Sequence, residues 1–307
     1  IGDESRVSFP WSMIDKITPR PAKEIEDMLE NLGIADMKPV ITNRNTYIAA
    51  FVNAEIPQYL VMEDRFPNGR PALEKAGVYL TDRDTVNKTE KMKVTTCLNP
   101  LHTAMAVYGC ILGYDHIAKE MQDKDIYTLV EQIGYVEGLP VVTDPQIIHP
   151  KDFIDEVMKE RLPNLYIPDM PQRIATDTSM KIPIRFGETI KSYLAAPDKD
   201  VKSLTFIPLA IAGWFRYLLG VNDAGEKMEL SADPMLAELT AKLSGIAFDD
   251  ASTYHGELKE ILANETIFAT DLCKAGLADT IEDMFKELLA GPGAVRATLH
   301  KYAQQGS

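Results

Sequence analysis

The sequence predicts a mostly α chain carrying one small β element. Three observations lead there. Amphipathic patterns with caps and glycine stops recur near residues 233–243, 255–264, 268–275, 278–290 and 293–304. Two apolar runs, 103–117 and 203–220, read as buried helices; the second is interrupted by Pro208 and Arg216, so neither is a membrane span. The β-branched and aromatic clusters TYIAAFV, QYLVMED and GVYLTD are confined to residues 39–82 and separated by the turn-rich FPNGRP, as expected of short strands.

Taken in order, Val7 to Ile14 is an extended segment ending at Asp15. Pro19 and Pro21 then precede an acidic helix over residues 22–32, which Gly33 stops. After the strands, KVTTCLNPLH, starting at Lys93, reads as a β-prone run entering an apolar helix. Gly109 and Gly113, four residues apart, would let another helix approach closely. Helices near 124–134 and 151–161 follow, the second placed by Pro150 at its start. Within 203–220, Trp214 and Arg216 are expected in the core, the arginine paired with a carboxylate. No repeat period emerges.

With 307 residues and 45% hydrophobic content, the chain can bury a sizeable core. Its net charge of −14 argues against nucleic acid and anionic membrane as partners, since phosphate binding rests on clustered Lys and Arg. Cys97, Cys110 and Cys273 are too far apart for a zinc or redox motif, so no metal is expected, and unpaired thiols fit a cytoplasmic protein. Ile1 opens the chain without Met, which suggests an excised piece, and no G-x-G-x-x-G follows a strand.

The chemistry-bearing stretch is Lys93 to His102. Asn99 before Pro100 is a helix-opening signal, and Asn99 and His102, three apart, share one helix face. The positive end of a helix disfavours ammonium and imidazolium, and a neutral lysine can serve as a general base. On the residues alone, Asn99 also reads as a simple cap and His102 as a packed histidine. Further on, PQRIATDTSMKIPIRFGETIKSY concentrates Arg173, Lys181 and Arg185 in an acidic chain. Such cations suit a carboxylate ligand, or else surface ion pairs. A Ser179–Lys181 or Thr178–Lys181 nucleophile pair is a rival reading with no companion motif.

KVTTCLNPLH, read with FPWSMIDKITP and PQRIATDTSMK, resembles the long-chain mannitol dehydrogenase family of polyol and uronate oxidoreductases. The resemblance runs from about Val7 through the final helices. It implies a metal-independent hydride transfer with NAD as cofactor. Lys93 would be the acid/base, Asn99 would polarise the reacting oxygen and His102 would orient the substrate. Arg173 and Lys181 would contact a sugar-acid substrate, and Ile14 and Asp15 would lie at the cofactor. Five residues separate Lys93 from Asn99 where the family pattern has four, which keeps Lys91 as an alternative base. The resemblance also implies a mainly helical C-terminal substrate domain over residues 21–307, with residues 1–20 the tail of an NAD-binding domain. The N-terminal Rossmann domain is expected to be absent from this chain, so its partner would be the NAD-binding domain of the same full-length protein. From another class, a noncatalytic helical interaction module would also suit the acidic surface.

Overall fold

The structure is a computed structural model that describes residues 7–14, 21–52, 59–167 and 169–306. Two compact units divide the chain: Ile1–Val86 with Asn164–Pro168, and Asn87–Pro163 with Asp169–Ser307.

The first unit holds strands β1 (Ser12–Ile14), β2 (Val40–Ile41), β3 (Tyr47–Ile48), β4 (Leu60–Glu63) and β5 (Tyr79–Thr81), with helix α1 (Lys23–Asn31) between β1 and β2. A three-stranded sheet runs β1-β4-β5, and β2 pairs with β3 separately. β1 lies antiparallel to β4, with Ser12 opposite Met62, whereas β4 and β5 are parallel, with Val61 opposite Tyr79. Buried Glu63 ties this sheet together. Its Oε2 accepts from the Trp11 backbone N–H at 3.0 Å and from Arg83 Nη2 at 3.1 Å. These bonds, the Trp11 N–H above all, hold its carboxyl below the usual carboxylate range. Gly33 stops α1 as expected: at φ +83° it occupies the left-handed region, and Ile34 N–H closes back on Leu29 O at 3.1 Å.

The expected fold class, a mostly α C-terminal substrate domain with a small β element and no Rossmann-type part in the chain, therefore needs correction. The strands are not an insert in a helical domain; they form a unit of their own. Parallel neighbours such as β4 and β5 require a crossover, supplied here by residues 64–78 with a 3₁₀ turn at Leu73–Ala76. Strand–crossover–parallel strand is α/β architecture.

The second unit is helical. It continues α2 (Arg83–Met92) with α3 (Asn99–Leu112), α4 (Ile117–Glu120), α5 (Lys124–Glu131), α6 (Pro150–Glu156), α7 (Pro171–Ile174), α8 (Thr178–Ile182), α9 (Glu188–Ala195) and α10 (Phe206–Tyr217). After these come α11 (Leu236–Lys242), α12 (Leu258–Leu262), α13 (Glu265–Phe268), α14 (Ala278–Leu288) and α15 (Ala294–Gly306). The helix expected over 268–275 is instead a string of turns. Asp271 competes with a helix there by accepting from the N–H groups of Cys273 and Lys274, both at 3.0 Å. No helix among the described residues is long and apolar enough to cross a membrane.

α3 and α10 are buried nearly all round and pack on each other. Gly213 makes the approach possible: a side chain there would stand 2.7 Å from the Tyr108 ring. The Tyr108 hydroxyl then donates to Leu209 O at 2.9 Å. Of the glycine pair expected to admit a helix, only Gly109 does so. Gly109 leaves room for the fully buried Glu120 of α4, whose carboxyl oxygens have no hydrogen-bond partner among the described residues, and Gly113 ends α3 at φ +80°. Burial pushes the Glu120 carboxyl well above its ordinary value.

The far end of α3 is stitched to the last helix. Asp223 N–H donates to Ile111 O at 2.9 Å, while the Asp223 carboxylate accepts from Val295 N–H at 2.9 Å and Arg296 N–H at 3.2 Å, opening α15. Arg296 in turn reaches Asp123, the cap of α5, at 2.6 Å.

Arg216 is fully buried, as expected, but its partners are carbonyls rather than a carboxylate. It donates to Val221 O at 2.6 Å, Asn222 O at 3.2 Å and Leu288 O at 3.2 Å, and stacks over Phe248. A fixed fork of donors satisfies several orphan carbonyls at once, including the last of α14. Burial lowers its pKa to about 10. Arg216→Met should destabilise the chain by about 3–5 kcal/mol, because one buried and two part-buried carbonyls lose their donors together; urea unfolding of the two proteins measures this.

Glu137 does the complementary work at the start of α10. Its Oε1 accepts from the N–H groups of Thr205 at 2.6 Å and Phe206 at 2.7 Å, and its Oε2 from Ile207 at 2.8 Å. Burial pushes its carboxyl from 4.5 up to about 7, against the lowering effect of these bonds. Between those values the folded chain keeps a proton that the unfolded chain has released, so stability falls as pH rises through this window, by about 3 kcal/mol. Unfolding curves collected from pH 4.5 to 7.5 should show this decline in the parent chain and a shallower one in Glu137→Gln, where the buried Glu120 carboxyl still contributes. At every pH, Glu137→Ala should be less stable than Glu137→Gln.

Candidate active site

Helix α3 begins where a π turn ends. The β-prone run expected at KVTTC is that π turn, Lys93–Cys97, continuous with α2. The β-branched residues are accommodated because Thr95 and Thr96 are buried and their hydroxyls are bonded; Thr95 Oγ1 donates to Lys91 O at 2.9 Å. A π turn bonds five residues back rather than four. Leu98 N–H accordingly meets Lys93 O at 3.1 Å, and Leu98 O accepts from His102 N–H at 3.1 Å. Two consecutive backbone bonds therefore link Lys93 to His102.

Pro100 shapes the junction. It has no N–H to offer the carbonyl four residues back, Thr96 O; the neighbouring Thr95 O accepts from Thr189 Oγ1 of α9 at 3.1 Å. Asn99 is the first residue of α3 rather than its cap: Leu98 holds the cap position, with φ −137°, and no side chain caps the turn. The Asn99 side chain, half-buried, is thus not engaged at the first-turn N–H groups.

His102 is 8% exposed, and its Nε2 lies 3.5 Å from Oδ2 of Asp169, itself 4% exposed. The other oxygen of Asp169 pairs with Arg173 on α7. One buried carboxylate therefore brings together a residue from each of the two motifs. Asp169 did not stand out in the sequence, although its spacing of four from Arg173 was a usable signal.

Lys93 is half-buried in the π turn. Lys91 is exposed and pairs with Glu188 at 3.2 Å. Lys181 donates to Ile174 O at 2.9 Å and to Thr176 O, closing the end of α7. Burial, then the charge of Arg185, lowers its pKa. Arg185 leaves a second π turn, Pro183–Gly187, and its Nη1 reaches Asn99 O at 3.3 Å and Thr103 Oγ1 on α3.

Ser179 and Thr178 do not meet Lys181. Ser179 Oγ donates to Asp233 and Thr178 Oγ1 to Ala175 O, which removes the nucleophile-pair reading. Ile14, on β1 of the other unit, is 54% exposed. Asp15 lies outside the described residues. The acidic trio Glu26, Asp27 and Glu30 is a face of α1 bridged by Lys23.

Comparison with known proteins gives this arrangement a context. The family described as mannitol dehydrogenase C-terminal domain matches residues 85–289. A D-mannonate oxidoreductase of Thermotoga maritima is 55% identical over 300 residues, covering 97% of this chain and 56% of that protein. A mannitol 2-dehydrogenase of Emericella nidulans is 33% identical over 269 residues, covering 86% of this chain and 48% of that protein. Among solved structures, Pseudomonas fluorescens mannitol 2-dehydrogenase in a ternary complex with NAD and D-mannitol superimposes with a TM-score of 0.74 at 26% identity, covering 97% of this chain and 55% of its own. The chain thus spans about half the length of the relatives it matches. Because the likeness reaches ahead of residue 85, the N-terminal unit belongs to the shared fold too, which overturns the reading of the chain as a lone C-terminal domain. Over residues 85–289, two thirds of its length and the whole of the α3 site, the chain belongs to the mannitol dehydrogenase family.

Proposed function

We propose that this chain carries the substrate-side machinery of an NAD-dependent oxidoreductase that interconverts D-fructuronate and D-mannonate by hydride transfer. The observation that carries this reading is the junction of the π turn with α3, which sets Lys93, Asn99 and His102 along one hydrogen-bonded run of backbone. The sugar-acid substrate rests on likeness to the D-mannonate oxidoreductase, and on the basic residues of the 169–185 segment gathered against α3.

The nicotinamide, when bound, supplies or accepts the hydride. Ile14, exposed at the end of β1, offers an apolar side chain on which a flat ring can rest, with Asp15 beside it in sequence. The nucleotide-binding part of the full-length protein is the partner that completes this side. Lys93 gives a proton to the carbonyl oxygen during ketone reduction and takes it back during alcohol oxidation. Lys91 is less suited, being exposed and held by Glu188. Asn99, its carboxamide not committed to capping α3, donates to the reacting oxygen as charge develops there. His102, oriented by Asp169, positions substrate hydroxyls, and Arg173 and Lys181 line the same side. A cytoplasmic setting fits the buried, unpaired thiols of Cys97 and Cys110. A mannitol 2-dehydrogenase is the second reading, favoured by the names of other relatives.

The test is a steady-state panel of fructuronate, tagaturonate and fructose with NADH, using the full-length protein. Fructuronate should have the highest kcat/KM; a preference for fructose would establish the second reading instead. On the preferred substrate, Lys93→Ala should lower kcat by about 10²–10⁴-fold and Asn99→Ala by about 10²–10³-fold. Lys91→Ala should change kcat less than about threefold. A large loss in Lys91→Ala with little in Lys93→Ala would transfer the acid/base role to Lys91.

A further inference from the structure

The basic residues near α3 differ in what holds them. Arg173 is neutralised by Asp169, which also faces His102. The Lys181 ammonium is bonded to two backbone carbonyls. Arg185 has no carboxylate within ion-pair distance among the described residues: its Nη1 is placed by Asn99 O and Thr103 Oγ1, while its buried Nε has no hydrogen-bond partner. Three other partly buried arginines have carboxylates, and the fully buried Arg216, which has none among the described residues, spends all three of its nitrogens on backbone carbonyls. Arg83 has Glu63, Arg70 has Asp64 and Glu74, and Arg296 has Asp123 and Asp125.

A guanidinium held in place, partly desolvated and lacking an anion is the state expected of a group whose anion arrives with a ligand. Its position suits that role. It contacts α3 at Asn99 and Thr103, one turn beyond the π turn that bears Lys93, and the first-turn N–H groups of the fourteen-residue α3 add positive potential. In a hexuronate the ketone and the carboxylate lie near opposite ends of the carbon chain, so the group that reads the charge must stand apart from the proton-transfer residue. We propose that Arg185 is the specificity-determining residue that binds the substrate carboxylate, with Arg173 and Lys181 fixed by their own partners around the sugar. This rests on the sugar-acid reading above and deepens it.

The experiment compares fructuronate with uncharged fructose in the full-length protein carrying Arg185→Gln or Arg185→Lys. With Arg185→Gln, kcat/KM on fructuronate should fall about thirtyfold to a thousandfold, chiefly through KM, and at least tenfold more than on fructose. Arg185→Lys, which keeps the charge without the fork, should recover part of that loss. Inhibition by D-mannonate should weaken in Arg185→Gln by a similar factor while inhibition by D-mannitol weakens far less, a comparison that holds even where fructose turnover is too slow to follow. Equal losses on charged and uncharged ligands would make Arg185 a support for α3 and overturn the proposal while leaving the sugar-acid reading intact. A parent enzyme that ignores fructuronate altogether would overturn both.

Discussion

The second unit depends on how closely α3 and α10 approach at Gly213. Any side chain there would collide with the ring of Tyr108, and the Tyr108 hydroxyl can reach Leu209 O only because the two backbones are this near. Glu137 then fixes the start of α10, and Arg216 on the same helix binds Leu288 O at the end of α14 together with Val221 O and Asn222 O. These are polar interactions inside an apolar core. Left unmade, each would cost more than a lost packing contact. A glycine that sets distance and two polar side chains at helix ends thus give α3 a single position, and α3 carries the candidate site.

The same logic governs the entry to α3. The backbone widens into a π turn before Pro100, whose missing N–H leaves Thr96 O without its helical donor, and Thr189 of α9 donates to Thr95 O within that turn. Wide turns are less stable than α turns and persist where surrounding contacts over-determine them. Here two further π turns, Gln132–Gly138 and Pro183–Gly187, pack against the first, and a side chain at Gly138 would stand 2.8 Å from Thr96. The result holds Lys93 and His102 in a defined relation along the backbone.

Much of this was legible in the residues. Helix positions followed from periodicity, and Gly33 and Pro150 marked boundaries as glycine and proline do. The π turn was not legible, since Val94, Thr95 and Thr96 favour strands locally and only burial among other helices reverses that preference. The parallel pairing of β4 with β5 was hidden too, because pairing direction is set by the crossover and not by strand composition. Asn99 looked like a cap because Asn before Pro usually is one; with α2 running on through the π turn, the chain arrives already helical and Leu98 takes the cap position. Arg216 illustrates a further limit. That a buried arginine needs partners is general chemistry, but whether they are carboxylates or carbonyls depends on which helix ends the fold brings near it.

The stitching of α3 to the start of α15 bears on the order in which the molecule can assemble. Asp223 joins Ile111 to residues 293–296, and Gln132 at the start of its π turn donates to Gly306 O at 2.6 Å, a sequence separation of 174 residues. A chain synthesised from its N-terminus cannot close these bonds until its last helix has left the ribosome. Helix α3 leaves the ribosome ahead of α15 and is locked only when α15 follows, so the nascent chain holds an apolar α3 without these partners in the interval. Long-range closure of this kind slows folding and extends the time in which apolar surface stands open to other chains.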